Sequence, residues 1–260
     1  MFNKKNINIK NYYDKFHERL EDEHTHIYEP TFRIRKKFQS DIIAQFSGTG
    51  KYALDIGCGT GHITTVLLKQ GFIVDAVDPS FKAINILKKK FKNSFWGKIK
   101  FYTTPLQTFN PGKQYDIIIC YEVLEHIKDD YKALRHLVSL LKRNGIIIID
   151  VPLHPHLYSK ADELCGHYRR YTVKRINNLL EQSNLQEIKR YYFGFPMIYA
   201  SKLLRKIFQN TNIEVVKKLS KKSSKKLNML LKLYDKFLFI DRRQFAVPLA
   251  DDIIVIARKV

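Results

Sequence analysis

The feature that most constrains the fold is an alternation of short β-rich segments with amphipathic helical segments, which begins near residue 51. The β-rich runs lie at 52–57, 72–77, 98–103, 115–120 and 145–151. Amphipathic stretches near 61–70, 80–92 and 129–142 separate most of them. Strands that alternate with helices predict a parallel sheet with helices on both faces. The nearly all-apolar run GIIIIDV (145–151) agrees, because a strand buried on both faces lacks polar alternation.

The remaining segments complete an α/β, Rossmann-like architecture with additions at two places. Residues 11–46 have helical apolar spacing, 186–193 and 252–259 are two more β-rich runs, and roughly 195–250 has a helical pattern. We therefore expect a seven-stranded, mostly parallel sheet. The expected organisation is an N-terminal helical cap (1–50), a Rossmann-like domain (51–194), a basic helical insertion (195–250) and the final strand (251–260).

A glycine-rich turn, LDIGCGTGH (54–62), follows the first predicted strand and opens the next predicted helix. Its glycines let the backbone turn tightly and approach a ligand where a Cβ would collide. The helix N-terminus offers free N–H groups to a carboxylate or phosphate. Asp78 stands at the tip of the next predicted strand, where an acid can accept both hydroxyls of a ribose. The pattern predicts a ribose-containing ligand.

A dinucleotide such as NAD is the competing ligand for such a turn. The dinucleotide fingerprint is GxGxxG, whereas this sequence has GxGxG preceded by Asp55. An acid two residues before the first glycine would repel a pyrophosphate, and it could instead bind an ammonium group.

This turn resembles motif I of the class I S-adenosylmethionine (SAM)-dependent methyltransferases, whose pattern is (L/V)(D/E)xGxGxG. The resemblance covers about 51–195 and 252–259 and implies SAM as the cofactor and a sheet whose last strand is antiparallel. It assigns the methionyl part to Asp55 and the glycines, and the ribose to Asp78. The expected cofactor-binding residues are Asp55, Gly57, Cys58, Gly59, Thr60, Gly61, Asp78, Pro79 and Tyr121. Many members bind adenine with an acid after the third strand, but TTPLQT (103–108) has none, which leaves backbone groups or Gln107.

Candidate catalytic residues follow the fourth predicted strand, in CYEVLEHIKD (120–129). Glu122, Glu125 and His126 are spaced i, i+3 and i+4, so a helix would place them on one face. Two carboxylates and an imidazole form either a general-base assembly or a set of metal ligands. The ExxEH pattern resembles the ubiquinone-biosynthesis O-methyltransferases and the small-RNA 3′-terminal 2′-O-methyltransferases. That resemblance implies a divalent cation held by these three residues and by His167, with His126 as a general base in the alternative.

The segment DELCGHYRRYT (162–172) follows the fifth strand and resembles a loop of bacterial and archaeal methyltransferases often linked to cell-surface glycan or lipid pathways. Arg169 and Arg170 could hold a phosphate or carboxylate in bidentate fashion. Tyr168 and Tyr171 could stack on a ring or close the pocket. We expect this loop to bind the acceptor.

The chain carries 46 Lys and Arg against 25 Asp and Glu, a formal charge of +21, which favours anionic partners. An AT-rich genome encodes a similar composition, so charge alone decides nothing. The lysine-rich segment 215–240 could lie on an anionic membrane, contact RNA phosphates, or form a lid whose lysines face water. The apolar, aromatic segment 193–208 could build an acceptor pocket.

Cys58, Cys120 and Cys165 form no CxxC pair, and neither a signal peptide nor an apolar run long enough to span a bilayer is visible. These features predict a cytoplasmic protein, with peripheral membrane contact as an option. The sequence predicts a SAM-dependent O-methyltransferase acting on a small or lipid-linked anionic acceptor. An RNA methyltransferase is the alternative.

Overall fold

The structure is a computed structural model that describes residues 30–48, 50–95, 97–194 and 250–260. Its strands are β1 Tyr52–Ile56, β2 Ile73–Asp78, β3 Ile99–Thr103, β4 Tyr115–Tyr121, β5 Leu141–Pro152, β6 Leu185–Phe193 and β7 Asp252–Lys259. Its helices are α1 Pro30–Ala44, α2 His62–Lys69, α3 Phe81–Lys90, α4 Asp130–Ser139, α5 Lys160–Leu164 and α6 Val173–Gln182. Single 3-10 turns lie at Leu106–Thr108, Leu124–His126 and Pro155–Leu157.

The strands form one seven-stranded sheet in the order β3-β2-β1-β4-β5-β7-β6. Strands β1 to β5 pair in parallel, whereas β7 pairs antiparallel with both β5 and β6. The predicted seven-stranded, mostly parallel sheet is therefore confirmed, together with its antiparallel last strand. The strand order reverses between β1 and β4, and open α/β sheets bind ligands outside the carboxyl ends of the strands at such a switch point.

The core consists of two apolar layers, because successive side chains of a buried strand point to opposite faces of the sheet. On β4, for example, Ile118 belongs to one layer and Ile119 to the other. Helices α1, α2 and α3 cover the face of Ile119, and α4 and α6 cover the face of Ile118. Because helices cover both faces of the sheet, its carboxyl edge is where polar side chains can lie next to a ligand.

Parts of the predicted cap and insertion lie outside the described residues, namely 1–29 and 195–249. Helix α1 is the described part of the predicted cap. Within the described residues, no helix has both the length and the apolar character needed to cross a membrane.

Candidate cofactor and catalytic site

The glycine-rich turn is fixed to the end of β2. The backbone N–H groups of Gly57 and Cys58 donate to the carbonyl of Val77 at 2.8 and 3.1 Å. Gly57 and Gly61 have φ angles of +70° and +78°. A Cβ on Gly57 would lie 2.5 Å from Val123 Cγ2, and one on Gly61 would lie 1.8 Å from a methyl carbon of Leu87. The turn therefore excludes side chains at two positions and keeps its backbone bare at the carboxyl edge.

The turn also leads into a helix end without a side-chain cap. The first turns of α3, α4 and α6 are capped by Ser80, Asp129 and Thr172, each of which accepts a backbone N–H bond. Helix α2 begins after Gly61 with no such bond. Its first N–H groups are thus left for solvent or a ligand.

Asp78 lies at the tip of β2, as predicted, and is held by two backbone contacts. Its Oδ2 accepts from the N–H of Gly59 at 2.9 Å, and its Oδ1 accepts from the N–H of Ser80 at 2.8 Å. A carboxylate oxygen has two acceptor positions, so both oxygens can also accept ribose hydroxyls.

The other predicted cofactor residues differ in accessibility. Cys58 and Tyr121 are almost fully buried, whereas Thr60 is half-buried and Pro79 is exposed. We therefore expect Cys58 and Tyr121 to form part of the wall of the site and not to cover its opening. Gln107, the candidate for adenine, is exposed in the turn after β3.

Asp55 braces β1 against α2. It is buried, and its carboxylate accepts from the hydroxyl of Thr64 at 2.5 Å. Burial and the nearby Asp78 together raise the pKa of Asp55 to about 7, against the lowering effect of the hydrogen bonds from Thr64. The structure thus shows a bracing role for one oxygen of Asp55, and the predicted contact with an ammonium group stays a prediction.

The predicted helix through Glu122, Glu125 and His126 is not formed. Glu122 has a φ of +55°, and only Leu124–His126 form a single 3-10 turn. The chain bends directly after β4, and the N–H of Glu122 still bonds to β5 by donating to the carbonyl of Asp150 at 2.9 Å. The three side chains therefore do not share one helical face, and Glu122 instead accepts from Arg35 of α1 at 3.0 Å.

Three of the four predicted metal ligands nevertheless converge. One ligand atom from each of Glu125, His126 and His167 lies within 4.8 Å of the others. The two imidazole rings are 4.5 Å apart and nearly perpendicular, and His126 Nε2 lies 3.9 Å from Glu125 Oε1. We call these residues the Glu-His-His cluster. Glu122 is not part of it.

The Glu-His-His cluster fits a divalent cation. Both carboxylate oxygens of Glu125 are buried without a hydrogen-bond partner among the described residues, and burial raises its pKa well above its ordinary value. Burial and the neighbouring His167 lower the pKa of His126 to about 4, so its imidazole is neutral, the form that binds metals. Asp162 Oδ1 lies 3.2 Å from His167 Nδ1, which leaves Nε2 to face an ion.

The loop arginines, which were predicted to hold an anionic acceptor, pair with acids of the protein itself in the structure. Arg170 donates to Asp162 at 2.8 Å and to Asp251 at 3.1 Å, and only 8% of its side chain is exposed. Arg169 pairs with Asp130 at 2.9 Å. Both guanidinium groups are thus committed to acids of the protein itself, and they hold the loop in place.

The loop tyrosines also differ from expectation. Tyr171 is fully buried in the core, so the prediction that it stacks on a ligand or closes the pocket is wrong. Tyr168 is 52% exposed and can still contact an acceptor. Its N–H donates to the carbonyl of Glu125 at 2.7 Å, which joins the loop to the turn that carries the Glu-His-His cluster.

A second group of acids, which we call the carboxylate cluster, comprises Glu122, Asp150 and Asp252. One oxygen from each lies within 4.8 Å of the others. Helix α1 covers the cluster: Arg35 pairs with both Glu122 and Asp252, and Gln39 donates to Asp150 at 2.7 Å. Burial and Glu122 raise the pKa of Asp150 to about 7, against the lowering effects of Arg35 and Gln39.

Four residues of this cluster and its cover were not predicted from the sequence, namely Asp150, Asp252, Arg35 and Gln39. Two signals were present. Asp150 is a charged residue in an otherwise apolar strand, and Arg35 and Gln39 are four residues apart on one helix. Both signals become informative only once α1 is known to pack on this face of the sheet.

The chain matches a known family over most of its length. A sequence profile of the methyltransferase domain family matches residues 32–218. A ubiquinone biosynthesis O-methyltransferase of Rickettsia canadensis is 38% identical over 96 residues, which are 37% of this chain and 40% of that protein. The corresponding protein of Coxiella burnetii is 32% identical over 113 residues, 43% of this chain and 47% of that protein. The alignments thus span less than half the length of these curated relatives.

Solved structures share the fold at low sequence identity. A putative sarcosine dimethylglycine methyltransferase from Galdieria sulphuraria superposes with a TM-score of 0.60 at 14% identity, covering 86% of this chain and 85% of that one. The N-methyltransferase NodS from Bradyrhizobium japonicum, in complex with S-adenosylhomocysteine, gives 0.54 at 16% identity, covering 86% of both chains. The fold and family predicted from sequence are confirmed: with a profile match over well over half of its residues, the chain belongs to the methyltransferase domain family.

Proposed function

We propose that this protein is an O-methyltransferase that transfers the methyl group of SAM to a hydroxyl of a small-molecule acceptor. The observation that carries the proposal is the side-chain-free glycine turn bonded to the end of β2, with Asp78 at its tip. The name of the curated relatives, O-methyltransferase, supports the reaction type. A related fold solved with S-adenosylhomocysteine supports the donor.

The donor would lie across the carboxyl edge of the sheet. Asp78 would accept the ribose hydroxyls, and the turn between Gly57 and Gly61 would let the donor approach the backbone. Methyl transfer from a sulfonium is an in-line displacement, so positioning the acceptor against the methyl group supplies much of the rate enhancement. A hydroxyl acceptor must also lose its proton.

The Glu-His-His cluster is our candidate for the group that promotes loss of the proton from the acceptor hydroxyl. Glu125, His126 and His167 would hold a divalent cation, and Asp162 would orient His167. Such an ion lowers the pKa of a hydroxyl bound to it. Without an ion, the neutral imidazole of His126 is the alternative proton acceptor, and its lowered pKa of about 4 makes it a weak base.

We propose a small molecule as the acceptor. A lipid-linked small molecule is the more specific version of this proposal. The name of the curated relatives connects those proteins with ubiquinone biosynthesis, which supports a lipid-linked acceptor. An anionic acceptor loses its main argument, because Arg169 and Arg170 are paired within the protein. No observation among the described residues favours RNA, and we do not propose it.

The reaction is tested by incubating the protein with methyl-labelled SAM and a cell extract, followed by separation of RNA, water-soluble and lipid fractions. We expect label in a small-molecule or lipid fraction, and a large loss of that label with Asp78→Ala. Label confined to RNA, or equal labelling by wild type and variant, would contradict the proposal.

The metal centre is tested separately by Mn²⁺ binding, measured by electron paramagnetic resonance. Glu125→Gln should weaken Mn²⁺ binding at least about tenfold. Mutation of residues that merely orient metal ligands commonly lowers metal affinity by this factor, and loss of a ligand should cost at least as much. Glu163→Gln, an exposed acid on α5, is the matched control and should bind as the wild type does. Equal Mn²⁺ affinity in Glu125→Gln and wild type would contradict the assignment.

A further inference from the structure

Asp251 lies between the two side-chain clusters at the carboxyl edge of the sheet. It is buried and directly precedes β7. Its carboxylate contacts an arginine with each oxygen: Oδ1 accepts from Arg170 at 3.1 Å, and Oδ2 lies 3.8 Å from Nη2 of Arg35. Arg35 covers the carboxylate cluster, and Arg170 lies in the loop that carries His167. Asp251 therefore joins the cover of one cluster to the loop of the other.

Two strands fix the backbone of Asp251. Its N–H donates to the carbonyl of Phe193, the last residue of β6, at 2.9 Å. Its carbonyl accepts from the N–H of Leu153, directly after β5, at 2.8 Å. A side chain that is anchored on strands is held more precisely than one that is anchored on a loop. Asp251 is thus a rigid point to which the loop is attached.

Three contacts lead from Asp251 to His167. Arg170 donates to Asp251 through Nη1 and to Oδ1 of Asp162 through Nε, the latter at 2.8 Å. The same Oδ1 of Asp162 lies 3.2 Å from Nδ1 of His167. The side chains of Arg170 and Asp162 are only 8% and 3% exposed, so solvent ions screen these contacts little. Because a guanidinium group is a rigid plane, holding Nη1 at Asp251 also sets the direction of Nε toward Asp162.

The orientation of His167 decides whether its imidazole can bind a cation. When Nδ1 donates to Asp162, the lone pair of Nε2 is the one that remains for an ion. The ring of His167 lies 4.5 Å from that of His126, and its ligand atom lies within 4.8 Å of those of His126 and Glu125. A shift of Asp162 would let the His167 ring rotate and would change the distance of Nε2 from the other two ligands.

We propose that Asp251 is a positioning residue of the cation site, which acts through Arg170 and Asp162 to keep the imidazole of His167 directed at the ion. This inference rests on the divalent cation proposed above for the Glu-His-His cluster. A purely structural ion pair between Asp251 and Arg170 would stabilise the loop without changing which atoms bind the ion. The two roles therefore differ in the number of nitrogen ligands.

The test is pulsed electron paramagnetic resonance of Mn²⁺ bound to the full chain, because this method detects nitrogen nuclei that are bound to the ion. We expect two imidazole nitrogens in the wild type and one in Asp251→Ala, in which His167 loses its fixed orientation. Residues that bond directly to a metal ligand change metal affinity about 10- to 100-fold, and Asp251 acts one contact further away, so Asp251→Ala should weaken Mn²⁺ binding about 3- to 10-fold.

Three further variants separate positioning from charge and from folding. Asp251→Asn keeps an oxygen that can accept from Arg170, so it should retain both nitrogens and bind Mn²⁺ within about twofold of the wild type. Arg170→Lys keeps the positive charge but loses the planar fork that bonds to two acids at once. It should lose one nitrogen, and it replaces Asp251→Ala if that variant does not fold. Asp116→Ala removes an acid that pairs with Lys142 at 2.8 Å at the amino end of β4, and it should behave as the wild type does.

Two bound nitrogens in a folded Asp251→Ala, or in Arg170→Lys where it replaces that variant, would overturn the inference. Equal losses of Mn²⁺ affinity in Asp251→Ala and Asp251→Asn would also overturn it, because they would show an effect of charge and not of position. A wild type that binds no Mn²⁺ would overturn the cation site itself and this inference with it. The SAM donor is tested independently, by binding of S-adenosylhomocysteine.

Discussion

At the scale of single residues, Gly57 and Gly61 are required both by their positive φ angles and by the close contact that a Cβ would make. Gly57→Ala would need φ +70° and would bring its Cβ to 2.5 Å from Val123. We expect a loss of about 2–4 kcal/mol in the free energy of unfolding, from left-handed strain and overpacking together. Binding of S-adenosylhomocysteine should weaken as well, because the turn must shift.

Gly71→Ala is the matched control for this change. Gly71 also has a positive φ, +92°, but a Cβ there meets nothing within 4 Å. Gly71→Ala should lower the free energy of unfolding only by the cost of the left-handed conformation, about 1–2 kcal/mol. It should bind S-adenosylhomocysteine as the wild type does. Chemical denaturation and calorimetry measure both effects. Equal losses of stability and affinity in the two variants would show that the contact with Val123 has no role.

The buried Asp55 should make stability depend on pH. Burial raises its pKa in the folded protein from 3.8 to about 7, so between these values the unfolded chain has released a proton that the folded chain retains. The contribution of Asp55 to the free energy of unfolding therefore falls as pH rises through this window, by up to about 4 kcal/mol. Asp55→Asn removes this effect.

We expect the stability of Asp55→Asn relative to wild type to increase from pH 4 to pH 8. Urea denaturation at both ends of the range measures it. Other buried acids, such as Asp150, remain in both proteins, so the comparison isolates Asp55. A constant difference between the two proteins across this range would contradict the raised pKa.

Residue positions were predictable from sequence where a local pattern fixes them. Gly57 lies in the turn after β1 and Asp78 at the tip of β2, as predicted, and their roles in ligand binding stay predictions. Arg35 contacts Glu122 and Asp252, which are 87 and 217 residues away, so no local pattern contains these pairs. Their detection requires knowledge of how α1 packs.

At the scale of elements, α1 is held to the sheet by buried charge. Arg35→Met would leave the carboxylates of Glu122 and Asp252 without their cation, a change that commonly costs about 3–5 kcal/mol. Lys37→Met is the control on the same helix, because its pair with Asp41 is on the surface and is worth at most about 1 kcal/mol. Thermal or urea denaturation distinguishes them. Similar stability of the two variants would contradict the docking of α1 through Arg35.

The loop at 162–172 is the second element whose role the structure changes. Arg170→Met should lower the free energy of unfolding by about 3–5 kcal/mol, because Asp162 and Asp251 lose a buried partner. Tyr168→Ala, at an exposed position of the same loop, should leave stability within about 0.5 kcal/mol. An Arg170→Met variant with unchanged stability and weakened acceptor binding would restore the acceptor-binding role predicted from sequence.

Element type was predictable from periodicity, but the ends of elements were not. The β-rich runs identified the seven strands of the sheet, and the resemblance to the class I methyltransferases implied that the last one is antiparallel. The ExxEH segment was expected to be helical from its spacing, yet Glu122 takes a left-handed conformation at the end of β4. Its N–H bonds to the carbonyl of Asp150 on the neighbouring strand β5, a contact between distant residues that the local sequence does not reveal.

At the scale of the whole molecule, net charge and site charge have opposite signs. The chain has a formal charge of +21, yet the carboxyl edge near β4, β5 and β7 gathers the half-buried Glu122 and four buried acids, Glu125, Asp150, Asp251 and Asp252. An acidic site suits a positively charged methyl donor and a divalent cation. The overall charge predicted anionic partners, and it carries no information about this site.

The most direct test of SAM binding at the glycine turn is the affinity for S-adenosylhomocysteine, measured by calorimetry on wild type and Asp78→Ala. Asp116→Ala is the matched control, because Asp116 also accepts two backbone N–H bonds, from Lys51 and Tyr52, but at the amino end of the strands. We expect one binding site per wild-type chain, a loss of at least about 100-fold in Asp78→Ala, as two charge-assisted bonds to the ribose imply, and little change in Asp116→Ala. No binding by wild type, or equal affinity in wild type and Asp78→Ala, would contradict the assignment.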